Sequence, residues 1–205
     1  MIRAVLWDFG GVILSSPFDA FERYELDAGL PAGFIRGVNA TNPHANAWAR
    51  LERGELDRDA FGAAFEAEAR ALGGEVSGAA ILEMLSGDVR PEMVEALRRC
   101  KDAGLQLACL TNNFSAGALR PEVDEIMGLF DAVVESSKVG IRKPESRFYE
   151  LACEALAVTP PECVFLDDLG VNLKPARAMG MTTIKVGDPA DALAELESVL
   201  DIPLR

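Results

Sequence analysis

The strongest constraint in the sequence is a regular alternation of helix and strand patterns from Arg90 onward. Arg90-Pro91 opens a run of apolar residues at helical spacing, Gly104 ends it, and a continuous apolar stretch follows. The same change of pattern recurs, so that strands are predicted at residues 105–110, 132–135, 163–166 and 182–186. Alternation of this kind is typical of a parallel sheet that carries helices on both faces and is joined by right-handed crossovers.

A further strand is predicted near the N-terminus, where the run Val5-Leu6-Trp7 ends at Asp8 and two glycines. Residues 15–87 then show helical periodicity and no convincing strand. The clearest helix in this segment has Asp57 as its N-cap. Its apolar stripe is formed by Phe61, Phe65, Ala69 and Leu72.

These patterns together predict the domain organisation. With 205 residues the chain is long enough for one domain or two small ones. We predict an α/β fold in which residues 1–14 and 88–205 form a Rossmann-like, doubly wound parallel sheet. A small all-helical segment, residues 15–87, is inserted after the first strand.

Charge and composition limit the partners of the chain. The formal net charge is −13, with acidic residues spread along the sequence. Such a surface repels nucleic acid and anionic membranes, so an anionic substrate would need a local cation, a lysine or a helix N-terminus. No stretch approaches the roughly 18 apolar residues of a membrane span, and the four cysteines lack metal-site spacing. We expect a cytoplasmic monomer or homodimer with reduced cysteines and no nucleic-acid or membrane partner.

Polar residues follow four of the predicted strands or lie in the loops just beyond them. They are Asp8, Thr111-Asn112, Lys143 and Asp167-Asp168. The carboxyl ends of parallel strands lie along one edge of a sheet, so residues far apart in sequence converge there on one crevice. Each cluster alone is a weak signal, but together they predict a site.

These residue types compose a site for phosphoryl transfer. Asp8 and Asp168 would hold a Mg²⁺, a hard cation that prefers oxygen ligands and neutralises phosphate charge. Asp8 would attack phosphorus and form an aspartyl phosphate that water hydrolyses. Thr111 would bind phosphoryl oxygens, and Lys143 would offset charge on the transferring group. The substrate class that follows is a small phosphorylated metabolite.

The order of these clusters resembles that of the haloacid dehalogenase superfamily over essentially the full chain. The motifs are Trp7-Asp8-Phe9-Gly10-Gly11-Val12, Leu110-Thr111-Asn112, Arg142-Lys143-Pro144 and Leu166-Asp167-Asp168. The helical segment is similar to the C1 cap of that superfamily, which closes over the substrate. More narrowly, residues 139–145 and 165–177 resemble the phosphatase domains of soluble epoxide hydrolases and the related domains fused to some acyl-CoA dehydrogenases.

The resemblance implies a role for each matching residue. The catalytic residues would be Asp8, as nucleophile, and Lys143. The Mg²⁺ ligands would be Asp8, the carbonyl oxygen of Gly10 and Asp168. The phosphate contacts would be Thr111, Asn112 and Lys143. The supporting groups would be Asp167 and Asn172.

The chain departs from the phosphatase pattern at Gly10, where phosphatases of the superfamily usually carry a second aspartate as general acid and base. The backbone carbonyl at this position preserves the metal ligand, but no side chain remains to protonate the leaving group. General acid–base catalysis is worth about 10²–10⁴-fold. We therefore expect slow hydrolysis of alkyl phosphates and faster turnover of substrates with good leaving groups.

Two other functions stay open. A C2-haloacid dehalogenase also uses an aspartate nucleophile without the second aspartate. It needs no metal, however, and Asp167-Asp168 differs from its fourth motif, which is closer to Ser-Asn. A non-catalytic phosphate-binding module would have lost the general acid altogether.

Within the helical segment, most of the distinctive residues have a structural interpretation. His44 is expected to be an exposed loop residue, and the helical spacing of Trp48, Phe61 and Phe65 favours core positions. Three charged residues flank a turn that could overlook the crevice, and we assign them no role. They are Arg50, Arg53 and Glu55.

Overall fold

In the computed structural model, residues 1–113 and 120–204 are described, and within these ranges five parallel strands form a single sheet. The strands are β1 (Ala4–Trp7), β2 (Gln106–Thr111), β3 (Ala132–Glu135), β4 (Cys163–Asp167) and β5 (Thr182–Lys185). Their order across the sheet is β3-β2-β1-β4-β5. The chain starts in the middle of the sheet, builds one side and then crosses to the other. The predicted α/β fold with a doubly wound, Rossmann-like sheet is confirmed.

Helices connect all of these strands. Between β1 and β2 they are α1 (Phe18–Asp27), α2 (Phe34–Ala40), α3 (Ala47–Glu52), α4 (Arg58–Ala71), α5 (Gly78–Glu83) and α6 (Pro91–Asp102). After β2 they are α7 (Pro121–Met127), α8 (Ser136–Val139), α9 (Ser146–Leu156), α10 (Gly170–Ala178) and α11 (Pro189–Leu200). An irregular turn, Phe9–Ile13, follows β1, and a short 3₁₀ turn, Pro160–Glu162, precedes β4.

The predicted strands agree with the observed ones to within one residue at their ends. Helix α11 is not among the predicted elements, although its start signals are present. Asp188 precedes Pro189, and its side chain accepts hydrogen bonds from the backbone N–H groups of Ala190 (2.8 Å) and Asp191 (3.2 Å). Helix α8 is also absent from the prediction, because four residues are too few to show helical periodicity.

Successive residues of the central strand face opposite sides of the sheet, and helices cover both sides. Val5 and Trp7 pack in an apolar cluster with α6 and α11, while Ala4 and Leu6 pack in a second cluster with α9 and α10. All four residues are fully buried. A strand that is buried on both faces has a continuous apolar sequence, which is why β1 shows no alternation. The residue that follows β1 is consequently fixed by packing on two sides.

Helices α1 to α5 build a third apolar cluster. Phe61 and Phe65 are fully buried in it, and the ring of Trp48 meets that of Phe61 edge-on at a centroid distance of 5.7 Å. These aromatic residues form the core of the helical segment, as predicted. The prediction is wrong for Leu72, which is 47% exposed because α4 ends just before it.

The helical segment joins the sheet through two neighbouring stretches of backbone. Leu14 forms an isolated antiparallel bridge with Val89, and the N–H of Ser15 donates to the carbonyl of Asp88 at 2.8 Å. The chain therefore leaves the sheet and returns to it side by side. We call residues 15–87 the helical insertion, and these bounds stay a prediction.

The structure also shows the state of the cysteines and the character of the helices. Each of the four cysteines is buried and none forms a disulfide. Burial raises the pKa of the Cys100 thiol to about 12, so this thiol stays protonated and unreactive. Within the described ranges, no helix combines the length and the apolar character that crossing a bilayer requires.

Candidate active site

Three adjacent strands bring the predicted site residues to one edge of the sheet. Asp8 follows β1, Thr111 ends β2, Asp167 ends β4 and Asp168 comes next. Strand β1 lies between β2 and β4, and the N–H of Asp8 donates to the carbonyl of Leu166 at 2.9 Å. The convergence predicted from the strand pattern is therefore present, because the three strands are parallel and end at the same level.

Lys143 reaches this edge from the loop between α8 and α9. Its side chain is 1% exposed, and its Nζ lies 2.7 Å from Oδ1 of Asp8 and 2.8 Å from Oδ2 of Asp167. Burial by itself would lower the pKa of Lys143, but the charges of Asp167 and Asp8 outweigh it and hold the pKa above its ordinary value. The lysine is therefore a fixed, fully charged cation between two carboxylates.

Asp167 has its oxygens occupied by neighbouring donors. Besides Lys143, the side-chain amide of Asn172 donates to both oxygens (3.0 and 3.1 Å), and the N–H of Leu169 donates to Oδ1 (2.8 Å). Asn172 is in turn held by the hydroxyl of Tyr149, which donates to its carbonyl at 2.6 Å. Asp167 and Asn172 thus lie where supporting groups for Lys143 would be expected.

The carboxylate of Asp8 is held through one oxygen. Oδ1 lies 2.7 Å from Nζ of Lys143 and accepts a hydrogen bond of the same length from the N–H of Phe9. Among the described residues these contacts are the ones that bind the carboxylate, so Oδ2 is left available. Burial raises the pKa of Asp8 well above its ordinary value, although Lys143 opposes this, and Asp167 raises it further.

Asp168 adds a third carboxylate to the cluster. Burial, followed by the charge of Asp167, raises the pKa of Asp168 to about 6, with Lys143 and Arg90 acting in the opposite direction. Carboxylate oxygens of Asp8, Asp167 and Asp168 all lie within 4.8 Å of one another. For Asp8 and Asp168 the raised pKa means that burial disfavours the ionised form, and a cation bound between the two carboxylates would remove that penalty.

The cluster fits a hard divalent cation. Mg²⁺ takes oxygen ligands at about 2.0–2.1 Å in an octahedron, so opposite ligands are about 4.2 Å apart. The spread of the three carboxylates is compatible with this geometry. Because Asp167 already binds Lys143 and Asn172, Asp8 and Asp168 are the side chains best placed to hold the ion.

The two glycines after Asp8 differ in their backbone angles and in the space available for a side chain. Gly10 adopts φ −72° and ψ 132°, which any residue can adopt, and a Cβ built on it would meet nothing within 4 Å. Gly11 has φ +78°, and a Cβ there would lie 2.3 Å from Oδ2 of Asp168. The backbone of the turn therefore approaches the acidic cluster at Gly11, whereas Gly10 leaves open space beside Asp8.

Asn112 is engaged by the loop that carries Lys143. Its Oδ1 accepts from the N–H of Lys143 at 2.8 Å, and its Nδ2 donates to the carbonyl of the same residue at 3.0 Å. Thr111 is half-buried at the end of β2. The structure brings both residues to the site, and their contacts with phosphate stay predictions.

Glu52, which ends helix α3 in the helical insertion, also lies at this edge and is not among the residues predicted from the sequence. Glu52 is 8% exposed, accepts from Nε1 of Trp48 at 2.9 Å, and forms an ion pair with Nε of Arg142 at 2.5 Å. Burial raises its pKa, with Arg142 opposing the shift. Its position four residues after Trp48, on the buried face of a helix, was the available signal.

Of the residues that flank the turn after α3, Glu55 is exposed and Arg53 is half-buried. Arg53 and Glu55 form an ion pair at 2.5 Å in which the Glu55 side chain is 46% exposed. His44 is exposed, as predicted.

Comparisons with known proteins agree on one family. A family profile described as a haloacid dehalogenase-like hydrolase matches residues 2–180. The chain is 34% identical to acyl-CoA dehydrogenase family member 10 of Mus musculus, over 98% of the chain and 19% of that protein. It is 32% identical to bifunctional epoxide hydrolase 2 of Sus scrofa, over 99% of the chain and 40% of that protein. The chain thus spans well under half of the length of these two relatives, in line with the predicted resemblance to one of their domains.

A third relative matches over nearly its whole length. A sesquiterpene phosphatase of Aspergillus oryzae is 27% identical over 97% of the chain and 96% of that protein. Among solved structures, a dehalogenase with an intermediate complex has a TM-score of 0.70 at 21% identity and covers 98% of both chains. A Bacteroides thetaiotaomicron enzyme in complex with magnesium and inorganic phosphate has a TM-score of 0.59 at 18% identity, over 92% of this chain and 96% of that one. At these identities the two structures establish the fold alone.

Proposed function

The chain belongs to the haloacid dehalogenase-like hydrolase family, and from this premise we propose that it is a Mg²⁺-dependent phosphohydrolase of small phosphorylated metabolites. The observation that carries the proposal is the contact between the buried Lys143 and Oδ1 of Asp8, with the Asp168 carboxylate in the same cluster. The phosphatase among the full-length relatives supports the same reaction class.

Asp8 is the nucleophile in this mechanism. Its Oδ2 donates an electron pair to phosphorus, the bond from phosphorus to the leaving oxygen breaks, and that oxygen keeps its electron pair. The product is an aspartyl phosphate. Water then attacks the same phosphorus, which releases orthophosphate and regenerates the Asp8 carboxylate.

The remaining residues position the phosphoryl group and offset its charge. Lys143 is already fixed against Asp8, so its ammonium lies beside the group that is transferred. We assign Thr111 and Asn112 to the phosphoryl oxygens. A Mg²⁺ held by Asp8, Asp168 and the carbonyl of Gly10 would supply charge neutralisation at the phosphate.

The leaving group has no proton donor at position 10. Gly10 has no side chain, and the space that a Cβ would enter there is open, with nothing within 4 Å. The leaving oxygen therefore departs as an anion, and substrates whose leaving groups have a low pKa, such as acyl or aryl phosphates, react faster than alkyl phosphates.

The helical insertion would act as the cap of the enzyme. We propose that residues 15–87 close over the crevice and contact the part of the substrate that leaves. The acidic surface and the buried, unlinked cysteines suit a cytoplasmic enzyme.

The test is turnover of p-nitrophenyl phosphate and acetyl phosphate, with Mg²⁺ or with EDTA, by the natural chain and by Asp8→Asn. We expect turnover that needs both Mg²⁺ and the Asp8 carboxylate. Binding of Mg²⁺ and orthophosphate without turnover of either substrate would instead indicate a non-catalytic phosphate-binding module.

A second candidate is a C2-haloacid dehalogenase, and Gly10 is the observation that favours it, because that reaction does not use a second aspartate. Asp168 argues against it, because a further, half-buried carboxylate beside the nucleophile disfavours an anionic carboxylic acid substrate in the absence of a metal. Release of halide from a 2-haloacid in the presence of EDTA would identify this activity.

A further inference from the structure

We propose that Glu52 is a positioning residue that couples the placement of the helical insertion to the placement of Lys143. The proposal rests on the phosphohydrolase function proposed above, because Lys143 is the residue through which Glu52 would act. It starts from a buried carboxylate that the phosphoryl-transfer mechanism does not use.

The contacts of Glu52 occupy both of its oxygens. Oε1 accepts from Nε1 of Trp48 at 2.9 Å, within the same helix. Oε2 accepts from Nδ2 of Asn112 at 3.3 Å and lies 2.5 Å from Nε of Arg142. A carboxylate held in this way is not free to donate a proton to a substrate. The role of Glu52 is therefore to position other residues rather than to act as a general acid.

Two short routes lead from Glu52 to Lys143. The first passes through Asn112, whose side chain pairs with both the N–H and the carbonyl of Lys143. The second passes through Arg142, the preceding residue in the chain, which also donates from Nη1 to the carbonyl of Pro43 in the helical insertion at 2.9 Å. Glu52 therefore touches both groups that fix the backbone of Lys143.

The helical insertion is held close to the sheet at the same place. A Cβ on Gly54, which has φ +73°, would lie 2.8 Å from the carbonyl oxygen of Ser137 in helix α8. The turn after α3 thus rests directly on backbone from the sheet side. The Glu52–Arg142 distance allows only small changes in the position of the insertion. The ion pair therefore forms only when the insertion lies against the sheet, which we call the seated arrangement.

The insertion is proposed above to close over the crevice, and a charged contact suits two parts that separate and return. The Glu52 and Arg142 side chains are 11% and 16% exposed when paired, and water would solvate both if the insertion moved away. An apolar contact of similar size would oppose separation, because it would expose apolar surface to water. The ion pair therefore stabilises the arrangement in which the insertion lies against the sheet, but it still allows the two parts to separate.

The experiment compares Glu52→Gln with Glu55→Gln, using p-nitrophenyl phosphate and Mg²⁺. Glu55 is the matched control, since it lies in the following turn and pairs with Arg53 in an exposed position. We expect Glu52→Gln to lower kcat about 10-fold or more, because misplacement of a catalytic group acts mainly on the transition state. KM should change by less than about threefold, and Glu55→Gln should match the natural chain.

A double variant tests the route. If Glu52 acts through Arg142, Glu52→Gln combined with Arg142→Gln should lose little beyond the larger single loss. Additive losses would rule out the route through Arg142 and leave the route through Asn112. Equal effects of Glu52→Gln and Glu55→Gln, or a higher KM at unchanged kcat, would each overturn the proposal, the second because it would identify Glu52 as a substrate contact.

Amide hydrogen exchange gives a readout that does not depend on turnover. In Glu52→Gln, peptides covering residues 139–145 and the paired stretches at Leu14 and Val89 should exchange about threefold faster or more, and in Glu55→Gln they should not. If the natural chain shows no turnover that depends on Asp8, the phosphohydrolase function fails, and the exchange data still decide whether Glu52 couples the two parts. Unchanged exchange in Glu52→Gln contradicts the coupling in either case.

Discussion

Nζ of Lys143 lies 2.7 Å from Oδ1 of Asp8, inside a site where only 1% of the lysine side chain is exposed. The ammonium also contacts Asp167, and Asp168 completes a group of three acidic residues. One lysine offsets a single negative charge, so two would remain if all three acids were ionised. A divalent cation has the charge that this edge of the sheet lacks.

Replacement of Lys143 by methionine should destabilise the protein in a pH-dependent way. At pH 7.5 we expect a loss of about 3–5 kcal/mol in the free energy of unfolding, because buried carboxylates lose their counter-ion. The pKa of Asp8 is already above its ordinary value, so the folded variant takes up a proton on acidification and the loss shrinks toward pH 5. Urea denaturation at the two pH values measures it.

Lys138→Met is the control for this comparison, because Lys138 is 73% exposed and pairs with Glu135 at the surface. Its expected effect is below about 0.5 kcal/mol at both pH values. An equal loss at pH 5 and pH 7.5 for Lys143→Met would contradict the explanation.

Gly10→Asp should leave the fold intact and raise the turnover of alkyl phosphates. The backbone at position 10 accepts any residue, and a side chain there meets open space beside Asp8. A restored general acid is worth about 10²–10⁴-fold, and the gain should be smaller for acetyl phosphate, whose leaving group needs no proton. Steady-state kinetics on both substrates measure the difference, and an unchanged ratio between them would count against the role assigned to the missing acid.

Gly11→Ala, unlike Gly10→Asp, should disturb both the fold and the site. The alanine would be forced to adopt φ +78° at a cost of about 1–3 kcal/mol, and its Cβ would push the Asp168 carboxylate aside. We expect weaker Mg²⁺ binding in addition to lower stability. Calorimetric titration of Mg²⁺ tests this, and binding as tight as in the natural chain would show that Asp168 is not a ligand.

Mg²⁺ binding should weaken on acidification. The pKa of Asp168 is raised to about 6, so below this pH a proton competes with the ion for the carboxylate. The folded chain holds this proton more tightly than the unfolded chain, so without metal its contribution to stability falls as pH rises from about 4 through 6. Added Mg²⁺ should then raise the Tm more at pH 7.5 than at pH 5, and should bind about 10-fold more weakly or worse at pH 5.

Asp168→Asn removes the titrating group, and Asp191→Asn is a matched control at an exposed position in α11. Only the first should weaken Mg²⁺ binding and reduce the dependence of the Mg²⁺ effect on pH, since Asp8 remains as a ligand that titrates. A Tm increase that is the same at both pH values in the natural chain would be incompatible with Asp168 as a ligand.

Asn112→Ala separates two roles for that residue. If its side chain mainly holds the Lys143 peptide, kcat falls about 10-fold with little change in KM, because the lysine is displaced. If it mainly contacts phosphate in the ground state, KM rises instead. Asn113→Ala is the comparison, because Asn113 bonds to Glu135 and Ser137 and has no bond to Lys143 among the described contacts.

The parts of the fold that could be predicted each have a local signal in the sequence. Strand β1 is a continuous apolar run that two glycines end, and the other strands alternate with helical periodicity. Because parallel strands end at a common edge, Asp8, Lys143 and Asp167 could be placed together before any distance was known. Their ion pairs at 2.7 and 2.8 Å bear this out.

The parts that were missed depend on contacts between distant segments. Glu52 and Arg142 pair across the boundary between the helical insertion and the sheet. The sequence around either residue does not indicate that the other is its partner. The roles of the two glycines could not be predicted either. Gly10 and Gly11 are equivalent in the sequence pattern, and only the structure shows that Gly11 has a positive φ. At Gly11 both the positive φ and the Asp168 carboxylate, which follows strand β4, disfavour a side chain.

The bridge between Leu14 and Val89 also makes the helical insertion a module. Two adjacent points of backbone are its covalent links to the sheet, so its length and sequence can change without altering the strand order or the edge that carries Asp8. If the insertion acts as the proposed cap, natural variation in it would change substrate choice while the reaction chemistry stays constant. The same arrangement makes exchange of the whole insertion between relatives a practical route to new specificities.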